Sequence, residues 1–289
     1  MSNFENTMEQ GLAAKPKEGK IRIEHASKVY DPQGVNVWAL DDNCVEIEAG
    51  GFVGIVGPSG CGKTTLLNAI AGFDNLTGGE IYLDDKLIAS PALKQSPGSD
   101  RIVVFQNGAL FPWKTVLENL IYGPVAQGKM SKDEAVAEAR RIMGKMGLNC
   151  NTEDLYPDNL SSGMKRQTEI IRALINNPKV LLLDEPFRAL DSITKTIMHE
   201  YLLEVYRLTR KTIFFITHDL EEAIFLADRV LIMTTRPGRI KATIEVDIPR
   251  PRDFRVLASD HFMELKEQAV AAVREETLKA FAAGERELA

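Results

Sequence analysis

Cysteine and long apolar runs are both scarce in this sequence, and each absence excludes a class of protein. The three cysteines, Cys44, Cys61 and Cys150, are an odd number and form no CxxC pair. A disulfide framework or a zinc site is therefore not expected, and a reducing compartment fits this usage best. The longest apolar runs, around 180–183 and 213–216, have the length of strands. They are far below the roughly 18 residues that predict a membrane-spanning helix.

Positive charge is also limited. The chain of 289 residues has 35 Lys and Arg against 41 Asp and Glu, a formal net charge of −6. No global positive field attracts nucleic acid, and we expect no nucleic-acid partner. Residues 1–20 are polar, contain acids and lack an apolar core, so they predict a flexible tail rather than a signal peptide. The content of 44% hydrophobic and 26% charged residues is that of an ordinary globular protein.

The apolar pattern from residue 21 onward predicts an α/β fold. Residues 21–30 and 39–49 alternate as half-buried strands do. The apolar run Phe52–Val56 predicts a buried strand, which a glycine-rich loop connects to a helix over Lys63–Ala71. A strand, a loop and a helix in this order are typical of the start of a nucleotide-binding unit.

A helical segment, about residues 108–178, interrupts this pattern. Ser131–Gly147 is amphipathic with a capping-box spacing, and Ser161–Asn176 stops before Pro178. The α/β pattern then returns, with strands predicted over 179–183, 212–217 and 229–233 and helices over 192–209 and 220–227. The pattern from Asp253 onward is helical again. We therefore expect a tail (1–20), a main domain (21–250) and a helical C-terminal extension (251–289).

The strongest chemical signal is the segment GPSGCGKT, which fits G-x-x-x-x-G-K-[ST] between the predicted strand and helix. Glycines let backbone amides approach phosphates, and the helix N-terminus adds its positive end. Lys63 would reach the β- and γ-phosphates, and the hydroxyl of Thr64 would bind Mg²⁺. A chance glycine-rich turn is the alternative, which this context disfavours. The predicted nucleotide-binding residues of this segment are Gly57, Pro58, Ser59, Gly60, Cys61, Gly62, Lys63, Thr64 and Thr65.

A second signal is the apolar run Val180–Leu183, which ends in Asp184 and Glu185. The carboxyl end of a buried strand is where α/β sheets bind ligands. Asp184 would hold Mg²⁺, and Glu185 would polarise the attacking water. Alone, a solvated strand end would explain the two acids better. Together with the phosphate loop, they favour nucleotide hydrolysis.

Further motifs follow in a fixed order, and with the phosphate loop they resemble the ATP-binding-cassette (ABC) ATPases over about residues 21–250. Gln106 matches the Q-loop, Leu160–Met164 (LSSGM) the signature motif, 189–191 (ALD) the D-loop and 217–219 (THD) the H-loop. The resemblance implies a P-loop NTPase fold with a RecA-like core, an antiparallel β subdomain and an inserted α-helical subdomain. It implies ATP and Mg²⁺ as cofactors.

The resemblance also implies a head-to-tail dimer in which the signature motif of one subunit completes the ATP site of the other. Ser161, Ser162, Gly163 and Met164 would act on the partner's nucleotide, with Asp191 in the D-loop. A helix N-terminus is suited to holding a γ-phosphate. Catalysis would use Glu185 and His218, although a lone histidine is more often structural.

The same resemblance implies a binding role for two further residues, and it shows two positions at which this chain differs from the family pattern. Tyr30 would stack on adenine unless it is a core tyrosine, and Gln106 would join Thr64 and Asp184 around Mg²⁺. Ser162 replaces the first glycine of the usual signature and lacks its conformational freedom. Arg188 stands where a small residue is common. Both departures leave the hydrolysis rate open.

Three segments resemble one branch of the family, the importers of nitrate, sulfonates, taurine and bicarbonate. They are Phe111–Trp113 with 115–119, Arg236–Ile240 and 247–252. This implies an ATP-hydrolysing subunit at the cytoplasmic face of the inner membrane, with a second ATP-binding subunit, integral permease subunits and a substrate-binding protein as partners. Phe111 and Trp113 would contact the permease or, alternatively, plug the helical core. Two alternatives are a soluble ABC protein that acts on ribosomes or DNA and a subunit of an exporter.

Overall fold

A computed structural model describes residues 18–31, 34–94 and 96–282, which form two sheets with helices around them. The strands are β1 (Ile21–Tyr30), β2 (Val37–Ile47), β3 (Phe52–Val56), β4 (Gly78–Leu83), β5 (Lys86–Ala89), β6 (Arg101–Val104), β7 (Val180–Asp184), β8 (Thr212–Ile216), β9 (Arg229–Met233) and β10 (Ile240–Glu245). The helices are α1 (Lys63–Ala71), α2 (Val116–Ala126), α3 (Lys132–Lys145), α4 (Ser162–Ile175), α5 (Ser192–Thr209), α6 (Leu220–Leu226) and α7 (Asp260–Ala282).

The first sheet is antiparallel, with strand order β2-β1-β4-β5. Alternate residues of β1 are buried, as a sheet covered on one face requires. Its inward side chains, including Ile21, Ile23 and Ile81, share one apolar cluster with Leu66 and Ile70 of α1. This sheet therefore packs beside the helix that follows the phosphate loop.

The second sheet has strand order β10-β9-β3-β8-β7-β6, and all of its pairs except β10–β9 are parallel. Every residue of β3, β7 and β8 is buried, as expected for strands covered on both faces. In the register, Ile216 pairs with both Ile55 and Asp184. The loops that follow these strands therefore meet at one edge of the sheet.

Helices α2, α3 and α4 lie between β6 and β7 in the chain and pack against one another. The predicted capping box is confirmed, since Ser131 and Glu134 exchange hydrogen bonds at the start of α3. A second box, Thr115 with Glu118, begins α2. The predicted helical segment 108–178 contains these three helices, and its boundaries remain a prediction.

The C-terminal helix begins later than predicted. Asp253 instead caps a 3-10 turn over Phe254–Ala258, and Ser259 is extended, so α7 starts at Asp260. Helix α7 packs on α6, β9 and β10. Nearby, the buried guanidinium of Arg252 donates to three carbonyl groups at the end of α6. Burial lowers the pKa of Arg252 to about 10.

The predicted tail and the predicted C-terminal extension are only partly covered by the described residues. Residues 1–17 of the predicted tail and 283–289 of the predicted extension lie outside the described residues. Within the described ranges, every helix is either too short or too polar to cross a membrane.

Candidate functional site: a phosphate loop at the carboxyl edge of the parallel sheet

The phosphate loop connects β3 to α1 and depends on glycine at two positions. Gly60 and Gly62 have φ of +74° and +106°, a region that residues with a side chain rarely adopt. A Cβ on Gly62 would also lie 2.5 Å from the carbonyl oxygen of Ala39. The two glycines therefore allow the tight loop conformation in which successive backbone amides can bind a phosphate.

Lys63 lies inside this loop and is only 7% exposed. Its Nζ donates to the carbonyl oxygens of Gly57 (2.8 Å) and Pro58 (2.9 Å). Because a phosphate oxygen is a charged acceptor, it would bind this ammonium more strongly than the carbonyl groups do. Burial raises the pKa of the neighbouring Cys61 thiol, so Cys61 stays protonated and a redox role is disfavoured.

Replacing Lys63 with alanine should weaken nucleotide binding. The lost charge-assisted contact is worth roughly 1.5–3 kcal/mol, so ATP affinity should fall by at least about tenfold. Calorimetric titration measures this, with Lys86→Ala as the control because Lys86 is exposed on β5. Equal ATP affinity of the Lys63→Ala variant and the parent would contradict this assignment of the loop.

The predicted magnesium ligands Thr64 and Asp184 are neighbours. The Thr64 hydroxyl lies 3.2 Å from Asp184 Oδ2 and 3.4 Å from Oδ1. Burial raises the pKa of Asp184, and the hydrogen bond from Thr64 acts in the opposite direction. A hydroxyl and a carboxylate are the hard oxygen ligands that Mg²⁺ prefers, so this pair fits the ion. The amide of the third predicted ligand, Gln106, instead contacts Glu185.

Residues of the predicted Q-loop and H-loop, together with Arg188, lie close to the carboxylate of Glu185. Its Oε2 lies 3.4 Å from Gln106 Nε2, 3.4 Å from His218 Nδ1 and 3.3 Å from a nitrogen of Arg188. Its φ is +41°, a left-handed conformation that costs about 1–3 kcal/mol in residues with a side chain. Only 14% of the side chain is exposed. Arg188, which stands where a small residue is common in the family, therefore contacts the predicted catalytic carboxylate.

The signature motif forms the start of α4. Ser161 is the N-cap residue and accepts a hydrogen bond from the amide of Met164. Ser162 follows in the first turn, exposed and without a positive φ, so its lack of glycine's freedom causes no strain. At Gly163 a Cβ would lie 2.6 Å from a methyl carbon of Thr194. The two serines are thus available to a partner.

The remaining predicted residues lie at ends of elements. Tyr30 ends β1 with 37% exposure, so it is not a core tyrosine, and Lys28 Nζ lies 4.7 Å from its ring centre. Asp191 caps α5 and accepts hydrogen bonds from the amide and hydroxyl of Thr194, which lower its pKa. Sequence reasoning missed that Arg236 donates to the carbonyl of Gly60, because the two residues are far apart in the chain.

This arrangement of a glycine-rich loop, two acids and a histidine at one sheet edge has known relatives. Residues 40–188 match the family model described as ABC transporter. The chain belongs to the ABC transporter family. It is 42% identical over 254 residues, 86% of this chain and 94% of the relative, to a taurine import ATP-binding protein of Rhizobium johnstonii. It is 39% identical to a nitrate import ATP-binding protein of Synechococcus elongatus, covering 89% of this chain and 93% of the relative.

A solved structure of the family confirms the fold. A dimeric ATP-binding cassette in a post-hydrolysis state, bound to ADP and Pi, has a TM-score of 0.69 and 29% identity. The match covers 79% of this chain and all of that chain. The P-loop NTPase fold, ATP binding and ATP hydrolysis predicted from the motifs are therefore confirmed. The named relatives confirm the resemblance to the importer branch and support it over a soluble ABC protein.

Proposed function

We propose that this chain is the ATP-hydrolysing subunit of an importer for a small anion or organic solute of the nitrate, sulfonate or taurine type. It would act at the cytoplasmic face of the membrane with integral permease subunits and a substrate-binding protein. The observation that carries the proposal is an exposed aromatic segment beside a cavity at the Q-loop. The names of the relatives, which are a taurine import and a nitrate import ATP-binding protein, support it.

In the proposed mechanism, two chains close head to tail around two ATP molecules. Lys63 and the loop amides bind the phosphates, while Tyr30 stacks on adenine. Thr64 and Asp184 would hold Mg²⁺, which when bound offsets the negative charge of the phosphates. Gln106 would join them by exchanging its contact with Glu185 for the ion. Glu185 then positions water in line with the γ-phosphate, and His218 contacts the same phosphate. Hydrolysis reopens the dimer and resets the permease.

The proposed permease contact is Phe111–Trp113. Trp113 is 70% exposed, which supports a contact with a partner over a hydrophobic plug at this residue. Phe111 is half-buried, with Tyr122 and Trp113 ring centres at 5.2 Å and 5.6 Å and the Arg172 guanidinium at 5.4 Å. Phe111, Tyr122 and Arg172 also line a cavity of about 350 Å³ that reaches Phe105, next to Gln106. A partner seated here would sense the Q-loop.

Replacing Trp113 with alanine should weaken permease association without unfolding the subunit. An aromatic residue at the centre of an interface contributes about 2 kcal/mol or more, so affinity should fall at least about thirtyfold. Association is measured by capture on the detergent-solubilised permease, with thermal melting of the isolated subunit as the stability check. Phe281→Ala is the matched control, since Phe281 is 65% exposed on α7. Unchanged capture of the Trp113→Ala variant would contradict the proposed contact.

The proposed function as a whole is tested by isolating the native complex from membranes. Integral permease subunits in the purified complex would support it. Ribosomes or DNA in place of permease subunits would favour the soluble alternative. The transported molecule is identified by the ligand that stimulates ATP hydrolysis once the complex and its binding protein are reconstituted.

A further inference from the structure

A buried polar network lies directly behind the strand end that carries His218. At its centre is Glu222 of α6, whose side chain is 4% exposed. One carboxylate oxygen accepts a hydrogen bond from the hydroxyl of Thr217. The other lies 2.7 Å from His199 Nε2 and 3.4 Å from Lys195 Nζ, both on α5. The network therefore connects α5, α6 and the loop after β8.

These contacts hold the residues on both sides of His218. The hydroxyl of Thr217 also accepts from the amide of Asp219 at 3.0 Å, and the Asp219 carboxylate accepts from Lys195 Nζ at 2.7 Å. The backbone amide of Thr217 is bonded to the carbonyl of Ile55 in β3. The His218 side chain itself is 59% exposed and lies toward Glu185. These bonds therefore anchor the backbone on both sides of His218.

His199 extends the network to the loop that carries Glu185. Its ring packs edge-on against Phe187, with ring centres 5.1 Å apart. Phe187 is 1% exposed and stands two residues after Glu185. A shift of His199 would therefore reach both loops whose side chains meet above the phosphate loop.

A buried carboxylate is costly even when it is paired, and apolar residues of similar volume often stabilise a protein at least as well. The contacts of Glu222 with the loop around His218 therefore offer a better reason for its presence than stability does. We propose that Glu222 and His199 are positioning residues that act through His218 and keep it in the geometry for hydrolysis beside Glu185. This inference rests on the proposed roles of His218 and Glu185.

The test compares steady-state ATPase kinetics of the full chain with the variants Glu222→Gln, His199→Phe and His218→Ala. The phenylalanine keeps a ring against Phe187 and removes only the contact with Glu222. Because small displacements of catalytic groups have large effects on rate, kcat of the first two variants should fall about tenfold or more. KM and ATP affinity should stay within about twofold of the parent. Glu221→Gln is the matched control, since Glu221 is the exposed neighbour paired with Lys266.

A double variant separates positioning from simple loss of stability. If Glu222 acts through His218, Glu222→Gln should cost less than about twofold in a His218→Ala background. Additive losses, or normal kcat in both Glu222→Gln and His199→Phe, would overturn the inference. If Glu222→Gln does not fold, as thermal melting would show, His199→Phe alone and combined with His218→Ala decides. Normal kcat in His218→Ala would instead refute the proposed role of His218.

Discussion

The variant Glu185→Gln should bind ATP normally, accumulate as a closed dimer and lose at least about 10²-fold in turnover, the lower end for removing a catalytic base. The expected loss follows from the position of the carboxylate. It stands at the end of β7 next to Asp184, and its Oε2 is approached by Gln106 and His218. Glutamine keeps the shape of the side chain but lacks the charge that draws a proton from water.

The measurement is steady-state phosphate release, with size-exclusion chromatography in the presence of ATP to detect the dimer. Glu200→Gln is a suitable control because Glu200 is exposed on α5, away from the predicted motifs. Turnover equal to that of the parent would refute the assignment of Glu185. A loss of turnover together with a loss of ATP affinity would show that the substitution disturbs the loop rather than the chemistry.

Much of this site follows from local sequence patterns. The helix over Lys63–Ala71 and the strand over Phe52–Val56 have the predicted ends, because a glycine-rich loop and a five-residue apolar run leave little choice. The meeting of the motifs at one edge follows from parallel strands, whose carboxyl ends align. Ser162 is also explained, since the first turn of α4 needs no positive φ at that residue.

Other features depend on contacts between distant parts of the chain. Glu185 has a left-handed backbone although it is not a glycine, and its amide is bonded to the carbonyl of Ile216 in β8. The sequence shows only that Arg188 is an unusual residue at its position. It does not predict that Arg188 contacts Glu185. Glu222 lies in a helix whose sequence resembles an ordinary charged helix start. Only the packing of α5 against it reveals the buried network.

The second large effect that we expect is a recovery of ATPase activity when two different variants form one dimer. A subunit with Lys63→Ala mixed with a subunit with Ser161→Ala should recover ATPase activity above that of either variant alone. In a head-to-tail dimer both lesions fall in one composite site, and the other site keeps an intact loop and an intact signature. Each single variant should itself lose about tenfold or more, since each lacks a contact to a charged phosphate.

The arrangement of the two lesions provides the control. A doubly substituted chain paired with an unsubstituted chain carries the same two changes, but one in each site, and should show no such recovery. Separately tagged chains allow each heterodimer to be purified. Ser161 also caps α4, so Ser161→Ala should cost about 1 kcal/mol of stability, and melting curves must show that the variant remains folded.

Equal and measurable activity of the two heterodimers would argue against composite sites shared between chains. Ser161 and Ser162 are exposed at the start of α4, whereas Lys63 is buried within its own loop. A serine that faces outward can act on a phosphate only if another chain presents one. If a single intact site turns over alone, the heterodimer with both lesions in one site will be the more active. If hydrolysis requires both sites, both heterodimers will be inactive. Each still has one intact Lys63 loop, but only in the heterodimer with both lesions in one site does that loop face an intact signature, so this heterodimer should bind ATP more tightly.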